Sequence, residues 1–232
     1  MSDRPPDRPT LSPRFIFHPD WQEMPQPQRV FRGLAQLLGV GFLGSIIAWQ
    51  LFGALSEAAG YENVLEAELA QWTMIEQLIL VVVLAPVLEE TIYRLPLQST
   101  YRPGFLALAF VIGVVFFAGP YSFLFWAGIV LACASGVTAF NPELKARVQR
   151  WWSVNPRILI YASTLIFGLI HIVNFEVQWS IAALLVAPLA VSPQIWLGLM
   201  FTIARVRYGW WAALVLHATH NGLIWSISSL AG

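Results

Sequence analysis

Long apolar runs separated by short polar or proline-containing breaks make up most of this chain. A helix needs about 20 mostly apolar residues to cross the hydrocarbon core of a bilayer. On that measure the pattern predicts spans at about 33 to 55, 72 to 93, 104 to 118, 121 to 139 and 157 to 174. The third and fourth are separated only by "GPYS", which reads as a tight hairpin. Between 180 and 206 the run contains Pro188 and Pro193, each expected to break or kink a helix. That stretch is read as a short membrane-embedded piece, about 180 to 189, followed by a spanning helix from about Pro193 to Arg205. A last span covers about 208 to 229. The expected fold is therefore all-α, a polytopic transmembrane helix bundle of about seven spans, with six and eight as the adjoining counts.

The residues before the first run have a different texture. The first thirty-two are polar and proline-rich, with no cleavable signal peptide, and residues 1 to 28 are expected to form a cytoplasmic tail on a membrane domain covering 29 to 232. Composition agrees with the span pattern: 57% of the residues are hydrophobic and 11% charged, against about 25% charged in soluble domains. The formal net charge of zero gives no reason to expect a nucleic-acid partner. One cysteine, Cys133, excludes an internal disulfide framework and a cysteine zinc cluster, and is expected to be a small buried apolar residue.

Charge also orients the spans. The connection at 56 to 71 carries Glu57, Glu62, Glu66 and Glu68 and no cation. Connections at 94 to 103, 140 to 157 and 205 to 207 carry Arg94 and Arg102; Lys145, Arg147, Arg150 and Arg157; and Arg205 and Arg207. Positive connections mark the cytoplasmic side, which puts the N-terminus in the cytoplasm; the expected location is a bacterial inner membrane. Trp72, Trp151, Trp152, Trp179, Tyr208, Trp210 and Trp211 fall near span ends and are expected to serve as an aromatic belt.

Against this background three polar groups stand out, because an ionisable residue within a span costs about 2.5–3.5 kcal/mol on insertion scales and is a functional hypothesis by default. The first is Glu89, Glu90 and Arg94 in "APVLEETIYRLP". In a continuous helix Glu90 and Arg94 share a face at the i,i+4 spacing, while Glu89 points about 100° away and stays free for another task. The structural alternative is an interfacial salt bridge with a snorkelling glutamate. The second is His171, four residues after Phe167 in "FGLIH", with Asn174 following; the alternative is a hydrogen-bonded packing histidine. The third is "HATHN", where His217 and Asn221 share a face and His220 lies about 60° aside. Its alternative is an interhelical hydrogen-bond cluster, worth about 0.6–2 kcal/mol in a bilayer. Convergence of Glu89, His171 and His217 from three spans would make a carboxylate–imidazole–imidazole site. A desolvated carboxylate can take a proton from water and return it to a leaving amine. Imidazoles can orient that water or, with the carboxylate, hold a divalent metal that activates it. Asparagine and histidine donors can stabilise an oxyanion. The same parts would suit a proton relay in a transporter.

In the order EExxxR, FxxxH, HxxxN, these motifs resemble the CPBP family of type II CAAX prenyl endopeptidases and related bacterial Abi membrane proteases. They stand here as Glu89 to Arg94, Phe167 to His171 and His217 to Asn221, and "GLMFTIARVRYG" also resembles the helix and basic turn leading to the last motif. The resemblance covers about 73 to 229 and implies intramembrane peptide-bond hydrolysis. It implies Glu89 as the activator of water assisted by His171, with His217 and Asn221 stabilising the oxyanion or completing a metal site, and Glu90, Arg94 and Phe167 in support. A zinc ion held by Glu89, His171 and His217 is chemically reasonable. The implied partners are a peptide or membrane-protein substrate and the bilayer. The alternative is a non-catalytic protein of the same fold that binds or assembles a larger membrane complex, for which the tail and the extra hairpin would be docking surfaces. No HExxH, GxSG or GxGD motif is present, and no internal repeat of the transporter kind is evident. Simple span boundaries leave Glu89 and His171 at different depths, about 21 Å apart at 1.5 Å per residue.

Overall fold

The computed structural model describes residues 19, 21, 27–117, 123–178 and 180–231. Most of the N-terminal tail, the GPYS connection and Trp179 lie outside the described residues. The rest is helical, apart from one short two-stranded ribbon. In chain order the elements are α1 (Pro27–Ala58), β1 (Tyr61–Asn63), α2 (Leu65–Leu69), α3 (Met74–Leu78), a π-helical turn (Ile79–Leu84), α4 (Ala85–Tyr93), α5 (Pro103–Phe117) and α6 (Phe123–Phe140). They continue with α7 (Pro142–Val154), α8 (Pro156–Ile170), a 3-10 turn (His171–Asn174), β2 (Phe175–Val177), α9 (Ile181–Ala190), α10 (Ser192–Tyr208) and α11 (Trp210–Ala231).

Among the described residues three stretches are long and apolar enough to cross a membrane: Val30–Ala58, Pro156–Asn174 and Ile181–Tyr208, with shorter apolar helices at Pro103–Gly113 and Gly128–Phe140. Large apolar side chains are exposed along α1, α6, α8 and α9, among them Leu43, Ile47, Leu51, Val130, Ile166, Leu184 and Leu185. A soluble fold would bury them; an all-α integral membrane protein turns them to lipid. The most buried helix is α10, in which every residue from Met200 to Tyr208 except Arg205 is buried, and it packs against α1, α8 and α11. Leu37, Ile160, Phe167, Met200, Phe201, Ile203 and Leu216 meet there in one core.

Several sequence expectations are corrected by this packing. The basic connection at 140 to 157 is largely a helix, α7, because Asn141 caps Leu144 N at 2.9 Å and Pro142 suits a first turn. No loop exists at 205 to 207: α10 runs through to Tyr208, and Gly209 at φ 99° turns the chain directly into α11. Arg94 and Arg207 are buried, so neither is a loop charge. Pro188 lies inside α9 without breaking it, while the division expected between 189 and 193 falls at Val191, with Pro193 in the first turn of α10. Cys133 is exposed rather than buried. Trp152 and Tyr208 are buried, and the indole of Trp210 donates to the Glu90 carbonyl at 3.0 Å, so these three do more than anchor the chain at an interface.

The acidic connection is organised rather than loose. β1 pairs antiparallel with β2, Tyr61 opposite Val177, and the Tyr61 hydroxyl donates to the Ala183 carbonyl at 2.8 Å. Burial pushes the Tyr61 phenol above its ordinary pKa, so it remains a donor. A cavity of about 540 Å³ beside this ribbon is lined by Trp49, Glu57, Tyr61, Glu62, Gln178 and Pro193 among others. None of Glu89, His171 or His217 lines it.

Candidate active site

Two irregular turns place the polar groups, and each can be traced to backbone hydrogen bonding. The helix carrying Glu89 starts cleanly at Met74: Thr73 accepts from Glu76 N, and the Glu76 carboxylate accepts from Thr73 N at 2.8 Å, a capping box. Ten residues before Glu89, at Ile79, the regular repeat gives way. Pro86 has no N–H, and its ring would collide with the carbonyl four residues back in a regular helix. The preceding turn, Ile79–Leu84, is widened to π, with Ala85 N–H reaching the Leu80 carbonyl. The next bond in that register would come from Pro86, so the Val81 carbonyl is left without one. The side-chain Nδ2 of Asn221, on α11, donates to it at 3.0 Å.

The second irregularity closes α8. There His171 N–H bonds the Gly168 carbonyl, three residues back, and the chain tightens into the 3-10 turn His171–Asn174. The Phe167 carbonyl, whose α-helical partner would be His171 N–H, accepts instead from the His171 ring at Nδ1, 2.7 Å away. The ring is thereby fixed with Nε2 outward.

Glu90 and Arg94 pair as their spacing predicts. Arg94 NH1 is 3.5 Å from Glu90 Oε1 and both side chains are fully buried. Arg94 NH2 also donates to the Gly198 carbonyl at 3.1 Å, and the guanidinium carbon lies 3.9 Å from the centre of the Phe167 ring. The same Glu90 Oε1 accepts from His217 Nδ1 at 2.9 Å, and the His217 ring stacks on Phe201, 4.3 Å between centres. Glu90 therefore holds one imidazole as well as one guanidinium, and His217 too turns Nε2 away from its anchor.

Both free nitrogens face Glu89. His171 Nε2 and His217 Nε2 each lie 3.9 Å from Glu89 Oε2, whose side chain is 14% exposed, against 19% for His171. Oε2 is buried and has no hydrogen-bond partner. With each Nδ1–H committed to an oxygen, the three facing atoms are all acceptors. At 3.9 Å they are too far apart for direct hydrogen bonds and spaced for a bridging water between them. The predicted depth gap between Glu89 and His171 is thereby corrected. α8 runs antiparallel to α4, with Ser163 Oγ on the Tyr93 carbonyl at 2.7 Å, and the chain beyond Tyr93 stays within the fold, where Arg94, Leu97 and Tyr101 are buried.

Asn221 stands with its Nδ2 on Val81 and its Oδ1 3.5 Å from His220 Nδ1, leaving one amide hydrogen to offer. His220 is buried between Phe42 and Phe201, at ring distances of 6.1 and 6.3 Å. Asn174 gives its backbone carbonyl to Val64 N at 3.1 Å. The sequence reading missed Phe201, Gly198, Trp210 and Arg205, which donates to the carbonyls of Arg94 at 2.7 Å and Leu95 at 3.3 Å. It also missed Pro86, although a proline three residues before paired carboxylates in an apolar run is a legible signal. A Cβ on Gly198 would lie 2.7 Å from the Phe167 ring and 3.3 Å from Arg94 NH2; one on Gly168 would lie 2.9 Å from Ile195 Cα. These two glycines let α8 and α10 approach closely enough to seal the guanidinium between them.

Residues 140–223 match the family described as type II CAAX prenyl endopeptidase Rce1-like. That segment is similar to the Rce1-like family, in line with the CPBP resemblance. The matched segment runs from α7 into α11 and contains Phe167, His171, His217 and Asn221; Glu89, Glu90 and Arg94 precede it, and the fold brings them to it. No curated protein and no solved structure matches the chain.

As a donor set, one carboxylate oxygen and two imidazole nitrogens suit zinc. Two ligands of one zinc at about 2.0–2.1 Å each stand about 3.3–3.5 Å apart in a tetrahedral site, somewhat closer than the 3.9 Å seen here. Among the described residues no group of three or more His, Cys, Asp and Glu is drawn together tightly enough to hold a metal ion.

Proposed function

We propose that the protein is an intramembrane endopeptidase of the CAAX type, in which Glu89 activates a water held between its Oε2 and the Nε2 atoms of His171 and His217. One observation carries this reading: two imidazoles, each locked through Nδ1, aim their free nitrogens at one unpartnered oxygen of a carboxylate whose side chain keeps some exposure. Glu89 takes a proton from the water as the oxygen attacks the peptide carbonyl carbon, then delivers that proton to the departing amine nitrogen. His171 orients the water. His217, with a proton on Nε2 as well as on Nδ1, donates to the oxyanion. Asn221 has one N–H left for the same oxyanion. Glu90, Arg94 and Phe167 hold His217 and α4 in place. A divalent ion, zinc being the best suited, would need Glu89, His171 and His217 closer together than they stand here, and would then supply a Lewis acid; none of these steps is routed through it.

The reading includes seven spans with the N-terminus in the cytoplasm of a bacterial inner membrane, a cytoplasmic tail before residue 29, and a peptide or membrane-protein substrate. Exposed cations at Arg102, Lys145, Arg147, Arg150 and Arg157 support that orientation, with Glu57, Glu62 and Glu68 exposed in the acidic connection. The test is turnover of a prenylated CAAX-type peptide by the purified protein in nanodiscs. Wild type is expected to cleave it, and Glu89→Gln and His171→Ala to lose cleavage while remaining folded. Undiminished turnover in both variants would overturn the assignment.

A further inference from the structure

α7 is fixed at one level by what it joins. It is separated by single residues, Asn141 and Asn155, from the apolar helix α6 and from α8, one of the candidate spans. Both ends of this helix of 13 residues, about 20 Å long, are held where its two neighbours end, at the end of α8 remote from the β1–β2 ribbon.

Its inner edge is occupied. Trp152 Nε1 donates to the Gln98 carbonyl at 2.9 Å, and Gln149 Nε2 donates to the Ser99 carbonyl at 3.1 Å. Gln149 Oε1 accepts from Tyr101 N, and the Tyr101 and Trp152 rings lie 5.2 Å apart. Of the remaining positions, Leu144 and Val148 are half-buried and the others are exposed. Lys145, Arg147 and Arg150 are exposed, as is Arg157 just beyond, and the segment's only carboxylate is Glu143. Among the described residues none of these four cations is in an ion pair. Leu144, Val148 and Trp151 form a stripe on the helical projection, with Arg147 and Arg150 along one side and Lys145 along the other. Trp151 is 47% exposed.

We propose that this face holds acidic phospholipid headgroups. Guanidinium and ammonium groups flanking an apolar stripe, at the height where two spans end, put cations level with lipid phosphates and Trp151 at the acyl boundary. Four cations with one carboxylate select acidic over zwitterionic lipid. The proposal needs only the membrane fold, so it stands or falls separately from peptide hydrolysis.

Native mass spectrometry of the full-length protein, released from micelles with added phosphatidylglycerol or phosphatidylcholine, tests it. Wild type should retain phosphatidylglycerol in preference to phosphatidylcholine. The triple variant K145Q/R147Q/R150Q should retain at least tenfold less, and K145R/R147K/R150K should retain as much as wild type. Equal retention by wild type and the glutamine variant would overturn the proposal. So would loss in the charge-conserving variant, which would trace retention to folding, or displacement of the lipid by millimolar inorganic phosphate, which would mark a simple anion site.

Discussion

Glu89 and Glu90 are neighbours in sequence and belong to different environments. Glu90 is sealed: its Oε1 is shared by Arg94 and His217, its backbone carbonyl takes the Trp210 indole, and its side chain has no accessible surface. Glu89, about a quarter-turn round the same helix, keeps some exposure and meets its two imidazoles only at 3.9 Å. A carboxylate tied through one oxygen to a buried guanidinium and an imidazole is spent on structure, because taking up a proton would leave the buried Arg94 charge uncompensated. A carboxylate surrounded by acceptors and reachable by water can change protonation during a reaction. One quarter-turn of helix thus separates the group that builds the site from the group proposed to act in it.

Substitutions can break or sharpen that contrast. The largest effect is expected at Glu89→Gln: turnover should fall by about a hundred- to ten-thousandfold, with the melting temperature in detergent unmoved; a large drop in melting temperature would make Glu89 structural after all. Arg94→Met should do the reverse, costing about 3–5 kcal/mol because Glu90 is left as an uncompensated buried charge. Chemical unfolding in micelles measures this, and a double variant with Glu90→Leu should recover part of the loss. Gly198→Ala comes next, at about 1–3 kcal/mol, because its methyl would press on Phe167 and Arg94; full stability would mean that α10 yields more easily than its packing indicates. Asn221→Ala should cost least in stability, about 0.6 kcal/mol and at most about 1.7 kcal/mol. A loss of turnover much greater than that would assign its remaining N–H to the oxyanion.

Much of this was legible in the chain. The apolar runs marked the helices to within a few residues, since backbone polar groups in lipid must be satisfied within a helix, and the proline-containing stretch at 180 to 206 divides into two helices close to where it was expected to. The i,i+4 pairing of Glu90 with Arg94 follows from helix geometry alone. The basic connection at 140 to 157 was not legible as a helix: its polar residues read as a loop, and only the dock of Gln149 and Trp152 onto residues 98 to 101 makes a short interfacial helix worth forming. Arg94 and Arg207 looked like surface charges because sequence position says nothing of what lies beyond a helix end.

The sequence by itself determined an all-α membrane chain, a family resemblance, and the residues able to carry chemistry, because periodicity, hydropathy and motif spacing are local properties. Tertiary structure alone decided which of those residues meet. The π turn before Pro86 and the 3-10 turn at His171 change where side chains point, and each is completed by a carbonyl that a regular helix would have used. The closest approach of Glu89 to two histidines from distant helices depends on those two departures and on the small residues that let α8 and α10 pack, which no local pattern encodes.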